Sequence, residues 1–234
     1  MRPLVFDMNC VVRAGDAAPE FELPWADRDG SVALRDYLGR SPVFLALFRG
    51  LYCAFCRRAV ASLGRLGAPL TSLGLQTLGV VATPASHARV YFKHNRAPIA
   101  LGADPAMATH AAYGLPKVSK DHWDLATRIN PTGELSEALP IWEANKALGR
   151  LDQFTPTQTD RDDMQRTWNQ LTGLFLIDRT GIVRWVFVEA SNPNPKIIRP
   201  RAHVGYGRRG PRSPGSARGE GGFGPGCGSG GRPG

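Results

Sequence analysis

Residues 42–63 read PVFLALFRGLYCAFCRRAVASL, and this stretch decides the fold. The apolar run Val43–Phe48 is bounded by a proline and a glycine and is too short for most helices, so it predicts a strand buried on both faces. From Ala54 onward the apolar residues recur at helical spacing with arginines between them. We expect this helix to end at Gly67 and Pro69, which are poor helix formers.

Cys53 and Cys56 stand where the predicted strand becomes the predicted helix. Free backbone amides and the positive end of the helix dipole stabilise a thiolate at this position. Arg49 and Arg57 are close in sequence and are candidates for stabilising the thiolate or binding substrate, although each is equally well explained as a solvated arginine. The pair therefore predicts a redox-active dithiol with both cysteines as catalytic residues.

Three other interpretations of the CxxC pair compete with redox chemistry. A zinc site usually needs four ligands, and Cys10 and Cys227 each lie alone near a chain end, so we predict no metal ion and no cofactor. Two buried core cysteines without chemistry remain an alternative, because free cysteine is among the most buried residue types. A permanent structural disulfide is disfavoured, since it would close a very short loop.

The composition is that of a soluble protein, with 42% hydrophobic and 21% charged residues in 234. The residues from Ser191 onward hold eight of the 29 basic and one of the 20 acidic residues, so the rest of the chain carries only +2 of the net charge of +9. No basic face is therefore implied on the folded part, and a nucleic-acid enzyme is disfavoured.

The first ten residues lack an apolar stretch long enough for a signal peptide, and no stretch approaches the length of a membrane span. We therefore expect a reducing, cytoplasmic location without membrane contact. In that compartment a CxxC pair is more often catalytic or metal-binding than structural.

Flanking patterns complete an α/β domain with a mixed central sheet and helices around it. A hairpin at the Asp29-Gly30 turn comes before the central strand, and another hairpin closes the domain. The expected elements after the cysteines are a strand at 75–82, a helix from Thr83 as N-cap and Pro84 to about 95, a strand at 99–101, a helix from Asp104-Pro105 to Gly114, helices at 134–148 (kinked near Pro140) and 160–171, and strands at 173–178 and 182–188.

Two domain-level predictions follow from these patterns. Residues 1–190 form the folded domain, and residues 115–170 form a helical insertion that we expect to act as a substrate-facing lid. Residues 191–234 contain 13 glycines and 7 prolines and predict a disordered tail. One hypothesis is that the tail is the product of a shifted reading frame in a GC-rich gene, which resequencing the locus tests.

Six segments spread over about residues 14–189, apart from the insertion, form a recognisable series. They are GDAAPEF at 15–21, LRDYLG at 34–39, VFLALF at 43–48, RGLYCAFCR at 49–57, GLFLID at 173–178 and GIVR at 181–184. In this order and spacing they resemble the alkyl hydroperoxide reductase and thiol-specific antioxidant family, within the thioredoxin-like superfamily. The CxxC form is most similar to a peroxiredoxin-like branch of that family.

The resemblance implies a thioredoxin-like fold and an antioxidant thiol oxidoreductase that reduces a peroxide or a disulfide. Its reductant would be a thioredoxin-like protein or glutathione. By analogy with thioredoxins, Cys53 attacks a disulfide and Cys56 resolves the mixed disulfide. By analogy with peroxiredoxins, Cys56 attacks a peroxide and Cys53 condenses with the resulting sulfenic acid.

The sequence departs from the peroxiredoxin pattern at three positions. If Cys56 is aligned with the peroxidatic cysteine, Cys53 occupies the position of the family's Thr or Ser and Arg49 that of its Pro. The family's Arg would precede the strand at 173–178, where this chain has Thr172, which is also where thioredoxins carry a cis-proline.

A function from a different class is a binding module, in which the Arg/Gly-rich tail contacts RNA or an acidic partner on a redox-inert fold. Tyr206 and Phe223 are the tail's only aromatic residues, so base stacking would be weak. Deleting residues 191–234 and comparing thiol chemistry with polyanion binding separates the two functions.

Overall fold

A computed structural model describes residues 11–95, 99–118, 128–131 and 133–189. The strands are β1 (Glu22–Pro24), β2 (Ser31–Ala33), β3 (Val43–Phe48), β4 (Gln76–Val81), β5 (Ala100–Ala103), β6 (Gly173–Ile177) and β7 (Val183–Val188). The helices are α1 (Ala54–Ser72), α2 (Ala85–His94), α3 (Ala108–Ala112), α4 (Ile141–Leu151) and α5 (Gln158–Thr167), and a 3-10 turn covers Leu34–Asp36.

The central sheet has the strand order β5-β4-β3-β6-β7. β3 pairs in parallel with β4, and β4 pairs in parallel with β5. β6 runs antiparallel to β3 on the other side, and β7 runs antiparallel to β6. The predicted mixed sheet is thus confirmed, with the apolar run of β3 as its middle strand.

Alternation along β3 divides the core between the two faces of the sheet. Leu45 and Leu47 belong to a cluster that includes Tyr113 and Phe175. Ala46 and Phe48 point to the opposite face and belong to a second cluster that contains both cysteines. The sulfurs therefore lie at the carboxyl end of the central strand, on the face covered by α1 and α2.

The predicted N-terminal hairpin is present, with Leu23 opposite Val32 in the β1 and β2 pair. Gly30 has φ +92° and supplies the left-handed residue that the turn needs. The hairpin packs over β5, where a Cβ on Gly102 would lie 3.0 Å from Leu23 Cδ1. A glycine is thus required where the hairpin approaches the sheet.

The prediction that α1 ends at Gly67 and Pro69 is wrong, because the helix continues to Ser72. Pro69 lies in the last turn of the helix, where it lacks an N–H for the helical hydrogen bond to the carbonyl four residues before it. The helix stops at Gly74, which has φ +78° and donates from its N–H to Thr71 O at 2.8 Å. Leu75 N–H bonds back to Leu70 O at 2.9 Å and completes a left-handed C-terminal cap.

The predicted N-cap role of Thr83 is also wrong. The helix begins at Ala85 after Pro84, and the N-cap position makes no side-chain hydrogen bond. The Thr83 hydroxyl is buried and instead accepts a hydrogen bond from Leu51 N–H at 3.0 Å. Local sequence favours capping, but a tertiary contact to the loop before the cysteines takes the hydroxyl.

Three helix boundaries differ from their predicted positions. The helix expected from Asp104 begins only at Ala108, because Met107 adopts a left-handed conformation with φ 56° before it. Pro140 precedes α4 rather than kinking it, as its fixed φ suits a helix start. The last helix begins after Thr157, whose hydroxyl accepts from Asp160 N–H at 3.2 Å.

No helix among the described residues is long and apolar enough to cross a bilayer. The predicted disordered tail at 191–234 lies outside the described residues, as do Cys10 and Cys227.

Candidate active site

The two cysteines occupy the first turn of α1, where the sequence predicted them. Cys53 is the N-cap residue, with an extended backbone at φ −80° and ψ 109°. Its sulfur accepts a hydrogen bond from Cys56 N–H at 3.3 Å, in the way that a serine or aspartate oxygen caps a helix. Both thiols are free and only 3% exposed.

The surroundings shift the pKa values of the two buried cysteines in opposite directions. Burial raises the pKa of Cys53, but hydrogen bonding from the Cys56 thiol, the charge of Arg49 and the Cys56 N–H outweigh it, and the pKa falls to about 6. Burial raises the pKa of Cys56, and its hydrogen bond to the Cys53 sulfur and the negative charge of Cys53 raise it further. At neutral pH the pair is therefore a Cys53 thiolate beside a Cys56 thiol.

Arg49 is the positive charge that acts on both sulfurs. It directly follows β3, is buried, and donates from Nη1 to Gln170 O at 2.9 Å and from Nη2 to Glu189 Oε1 at 3.0 Å. Burial lowers the pKa of Arg49, but Glu189 and the two sulfurs outweigh this effect and raise it well above the ordinary value. The guanidinium therefore stays charged.

Arg57 is also buried, but its contacts are with structural groups. Its Nη1 donates to Leu51 O at 2.7 Å and its Nη2 to Asp152 Oδ2 at 3.3 Å. The guanidinium carbon lies 3.7 Å from the ring centre of Phe154, a cation–π contact. These contacts fix the loop before Cys53, and a direct role of Arg57 at the thiolate or on a substrate stays a prediction.

A small pocket opens beside Cys53. Its volume is about 20 Å³, enough for one water molecule or a group of similar size. Its walls are mainly aromatic and aliphatic, with Arg49 as the charged group. The lining residues are Arg49, Tyr52, Cys53, Phe55, Ile141, Trp142, Asn145 and Trp168.

The predicted insertion supplies half of these pocket residues. Trp142 on α4 and Trp168 just after α5 have ring centres 6.1 Å apart. Asn145 on α4 accepts a hydrogen bond from Ala54 N–H at 2.7 Å and thereby ties the insertion to the start of α1. The described part of the insertion thus lies beside Cys53, and its role as a substrate-facing lid stays a prediction.

Sequence reasoning named the cysteines, Arg49 and the position of Thr172, but it did not name Glu189 or the two tryptophans of the pocket wall as site residues. Glu189, Trp142 and Trp168 lie far from the motif along the chain. No local signal marks these contacts, since they arise where β7 and the insertion meet the cysteine loop. Among the described residues, no group of three or more His, Cys, Asp or Glu is placed to hold a metal ion.

Known proteins resemble this chain at low sequence identity. Peroxidoxin BcpB from Mycobacterium tuberculosis is 16% identical over 75% of this chain and 85% of its own, with a TM-score of 0.49. A reduced 2-Cys peroxiredoxin from Plasmodium vivax is 14% identical over 75% and 71%, with a TM-score of 0.48. A candidate thiol:disulfide interchange protein DsbE from Chlorobium tepidum is 21% identical over 75% and 84%, with a TM-score of 0.43.

These structural resemblances are too distant to assign an activity. The search of curated proteins returned no match. The sequence profile of the AhpC/TSA family, in contrast, matches residues 14–186, which is most of the chain. The match runs from before β1 into β7 and includes both cysteines, and the observed sheet is the mixed sheet of a thioredoxin-like fold. The chain therefore belongs to the AhpC/TSA family, whose general activity is that of a thiol-dependent oxidoreductase.

Proposed function

We propose that this protein is a thiol-dependent peroxidase in which Cys53 attacks the peroxide and Cys56 resolves the product. The observation that carries the proposal is the place of Cys53 at the N-cap of α1, where its sulfur accepts a hydrogen bond from Cys56 N–H at 3.3 Å. This hydrogen bond and the charge of Arg49 help to lower the pKa of Cys53 to about 6, while the pKa of Cys56 is raised. The thiolate is the reactive nucleophile, so Cys53 acts first. This order reverses the roles that the peroxiredoxin analogy suggested from the sequence.

Access to Cys53 favours a small substrate. The sulfur is reached through a pocket of about 20 Å³ between aromatic side chains, and the cysteine is only 3% exposed. One peroxide oxygen is about the size of a water molecule and fits such a space, whereas a protein disulfide would have to displace Trp142 or Trp168. Membership of the AhpC/TSA family supports the same choice.

The reaction balances in three steps. The Cys53 thiolate attacks the hydrogen-bearing peroxide oxygen and the O–O bond breaks, which gives a sulfenic acid on Cys53. The other oxygen leaves as hydroxide or alkoxide and takes a proton from solvent to become water or an alcohol. The Cys56 thiol attacks that sulfur, water leaves, and an intramolecular disulfide forms. Two thiol equivalents then reduce the disulfide and are themselves oxidised to a disulfide.

Arg49 has two roles in this scheme. Its charge lowers the pKa of Cys53, and its place in the pocket wall lets it polarise a bound peroxide. The thiol reductant is a thioredoxin-like protein or glutathione. Both are supplied in a reducing cytoplasm, which is the location we propose.

Stopped-flow reaction of the reduced protein with hydrogen peroxide tests the proposal, alongside the single variants Cys53→Ser and Cys56→Ser. Serine at 56 keeps a hydroxyl donor for the Cys53 sulfur, so this variant should react rapidly once and accumulate a sulfenic acid that can be trapped at Cys53. Cys53→Ser should react no faster than a free thiol. Rapid oxidation that survives Cys53→Ser would overturn the proposed order.

A second candidate function is reduction of a disulfide substrate by the same Cys53 thiolate. The position of Cys53 at the helix entrance, with Cys56 one turn inside, favours this route. Mixing the reduced protein with a small aromatic disulfide and with hydrogen peroxide distinguishes the two activities. Faster oxidation by the disulfide would favour the reductase.

A further inference from the structure

Glu189 directly follows β7, and both oxygens of its carboxylate accept hydrogen bonds. Its Oε1 accepts from Arg49 Nη2 at 3.0 Å. Its Oε2 accepts from the backbone N–H and from the hydroxyl of Thr172, both at 3.2 Å. The Glu189 N–H also donates to Thr172 O at 2.9 Å, so the backbone holds the carboxylate in place.

The pairing with Glu189 is what makes a buried arginine tolerable at this point of the fold. Arg49 has a side chain that is 5% exposed, while that of Glu189 is 26% exposed, so the pair leads from the core toward solvent. A buried charge without a nearby counter-charge is strongly destabilising. The carboxylate therefore fixes both the position and the charged state of the guanidinium.

We propose that Glu189 is a positioning residue that holds the Arg49 guanidinium beside the cysteine pair and offsets part of its charge. This inference rests on the proposed function, since it assumes that Cys53 is the nucleophile. Neither the CxxC motif nor the family match points to this position.

The partial neutralisation of Arg49 by Glu189 affects the equilibrium between the dithiol and the disulfide. Among the described residues, Arg49, Glu189 and the Cys53 thiolate are charged groups that act on one another in the reduced protein. Formation of the Cys53–Cys56 disulfide removes the thiolate and leaves Arg49 paired with Glu189. Loss of the carboxylate would take away this counter-charge, so the thiolate would be worth more to the buried guanidinium and the equilibrium would move toward the dithiol.

The charged and titratable groups that act on Cys53 are consistent with this assignment. Arg49 after β3 lowers the pKa of Cys53, and Glu189 after β7 raises it, while the Cys56 thiol on α1 lowers it by hydrogen bonding. Tyr52 also lies beside the sulfur, and burial raises the pKa of its phenol, so it stays neutral. Glu189 is therefore the acidic side chain whose removal should have the most direct effect.

The test is the variant Glu189→Gln, which removes the charge and keeps the shape. The ultraviolet absorbance of its thiolate should titrate at a pH lower than in the wild type by about half a unit or more. Its redox equilibrium with glutathione should shift toward the dithiol by a factor of about three or more. The matched control is Glu20→Gln, an exposed carboxylate on the N-terminal segment, which should leave both quantities unchanged.

A second variant keeps the proposal testable if Glu189→Gln does not fold. Arg49→Met combined with Glu189→Met replaces the ion pair by apolar groups, a change that is often neutral for stability. This double variant should fold, and its Cys53 titration should move to higher pH because the stabilising guanidinium is gone.

The outcomes separate the inference from the proposed function. A Glu189→Gln midpoint equal to or above that of the wild type overturns the inference, as does failure of both Glu189 variants to fold. If Cys53 in the wild type titrates like an ordinary thiol, the proposed function itself fails. A low wild-type midpoint with no response to Glu189→Gln leaves the proposed function standing and removes only the role of Glu189.

Discussion

Replacing Cys53 by serine should remove from the reduced protein one thiolate that titrates near pH 6. With a pKa of about 6 in place of the ordinary 9.0, about 90% of Cys53 is ionised at pH 7, compared with about 1% of an ordinary thiol. Between about pH 5 and pH 7 the ionised fraction rises about tenfold, and above about pH 7 it is nearly constant.

The assay is thiolate absorbance in the ultraviolet, because it needs no reagent to enter the narrow pocket. Subtracting the titration of reduced Cys53→Ser from that of the wild type cancels the contributions of Cys10 and Cys227. Subtracting the titration of Cys56→Ser from that of the wild type should leave the titration of Cys56. This curve should begin only in the alkaline range, because burial and the neighbouring Cys53 raise the pKa of Cys56.

One result would refute the reasoning directly. A wild-type minus Cys53→Ser curve that is still climbing between about pH 7 and pH 9 would show that Cys53 is an ordinary thiol. The helix-cap hydrogen bond and the charge of Arg49 would then be too weak to overcome burial. If the titration step near pH 6 is lost in Cys56→Ser and kept in Cys53→Ser, the roles of the two cysteines would be exchanged.

Three further predictions concern stability. In urea unfolding, the reduced protein should become more stable as the pH rises from about 6 to about 8.5. The reason is that the pKa of Cys53 is lower in the folded than in the unfolded protein, so the thiolate stabilises the fold. This contribution is lost as the pH falls through the folded pKa. Gly79→Ala should destabilise the protein by about 1 to 3 kcal/mol in thermal unfolding, because its Cβ would lie 2.5 Å from Leu101 Cδ2. Arg57→Met should cost about 2 kcal/mol in urea unfolding, since it loses a buried hydrogen bond and the contact with Phe154.

Each of these stability predictions has a control. The oxidised protein has no Cys53 thiolate and should lack the rise between pH 6 and 8.5, so an equal rise in both forms would contradict the assignment. Gly67→Ala places a Cβ in open space on α1 and should be neutral or stabilising. Arg65→Met on the exposed face of α1 should change stability by less than about 0.5 kcal/mol. A loss as large as that of Arg57→Met would contradict a special role for the buried guanidinium.

The sequence was sufficient to predict the sheet and the place of the cysteines. The apolar run of β3 has no polar residue, so both of its faces must be covered, and this requires a central strand. The change from strand to helical spacing between Phe48 and Ala54 then puts the CxxC pair at a helix N-terminus. Local signals of this kind are strong because the spacing of the apolar residues and the burial that it implies indicate the same element over many residues.

The supporting contacts could not be predicted, because each depends on segments that are far apart in the chain. Thr83 precedes a helix and reads as an N-cap, but its hydroxyl bonds to Leu51 N–H once β3 and β4 lie side by side. Glu189 is 140 positions from Arg49, and the antiparallel pairings of β3 with β6 and of β6 with β7 bring them together. Pattern reasoning has no access to such pairings until the topology is known.

If Cys56 is aligned with the family's peroxidatic cysteine, the residues at the three positions that depart from the peroxiredoxin pattern form one connected arrangement in the structure. Arg49, at the position of the family's Pro, supplies the positive charge beside Cys53. Thr172, at the position of the family's Arg, donates to Glu189, and Glu189 in turn pairs with Arg49. Cys53, at the position of the family's Thr, is then the sulfur that this charge stabilises. Restoring one family residue alone, such as Thr172→Arg, would place a second positive charge against Arg49, so the departures are expected to tolerate replacement only as a set.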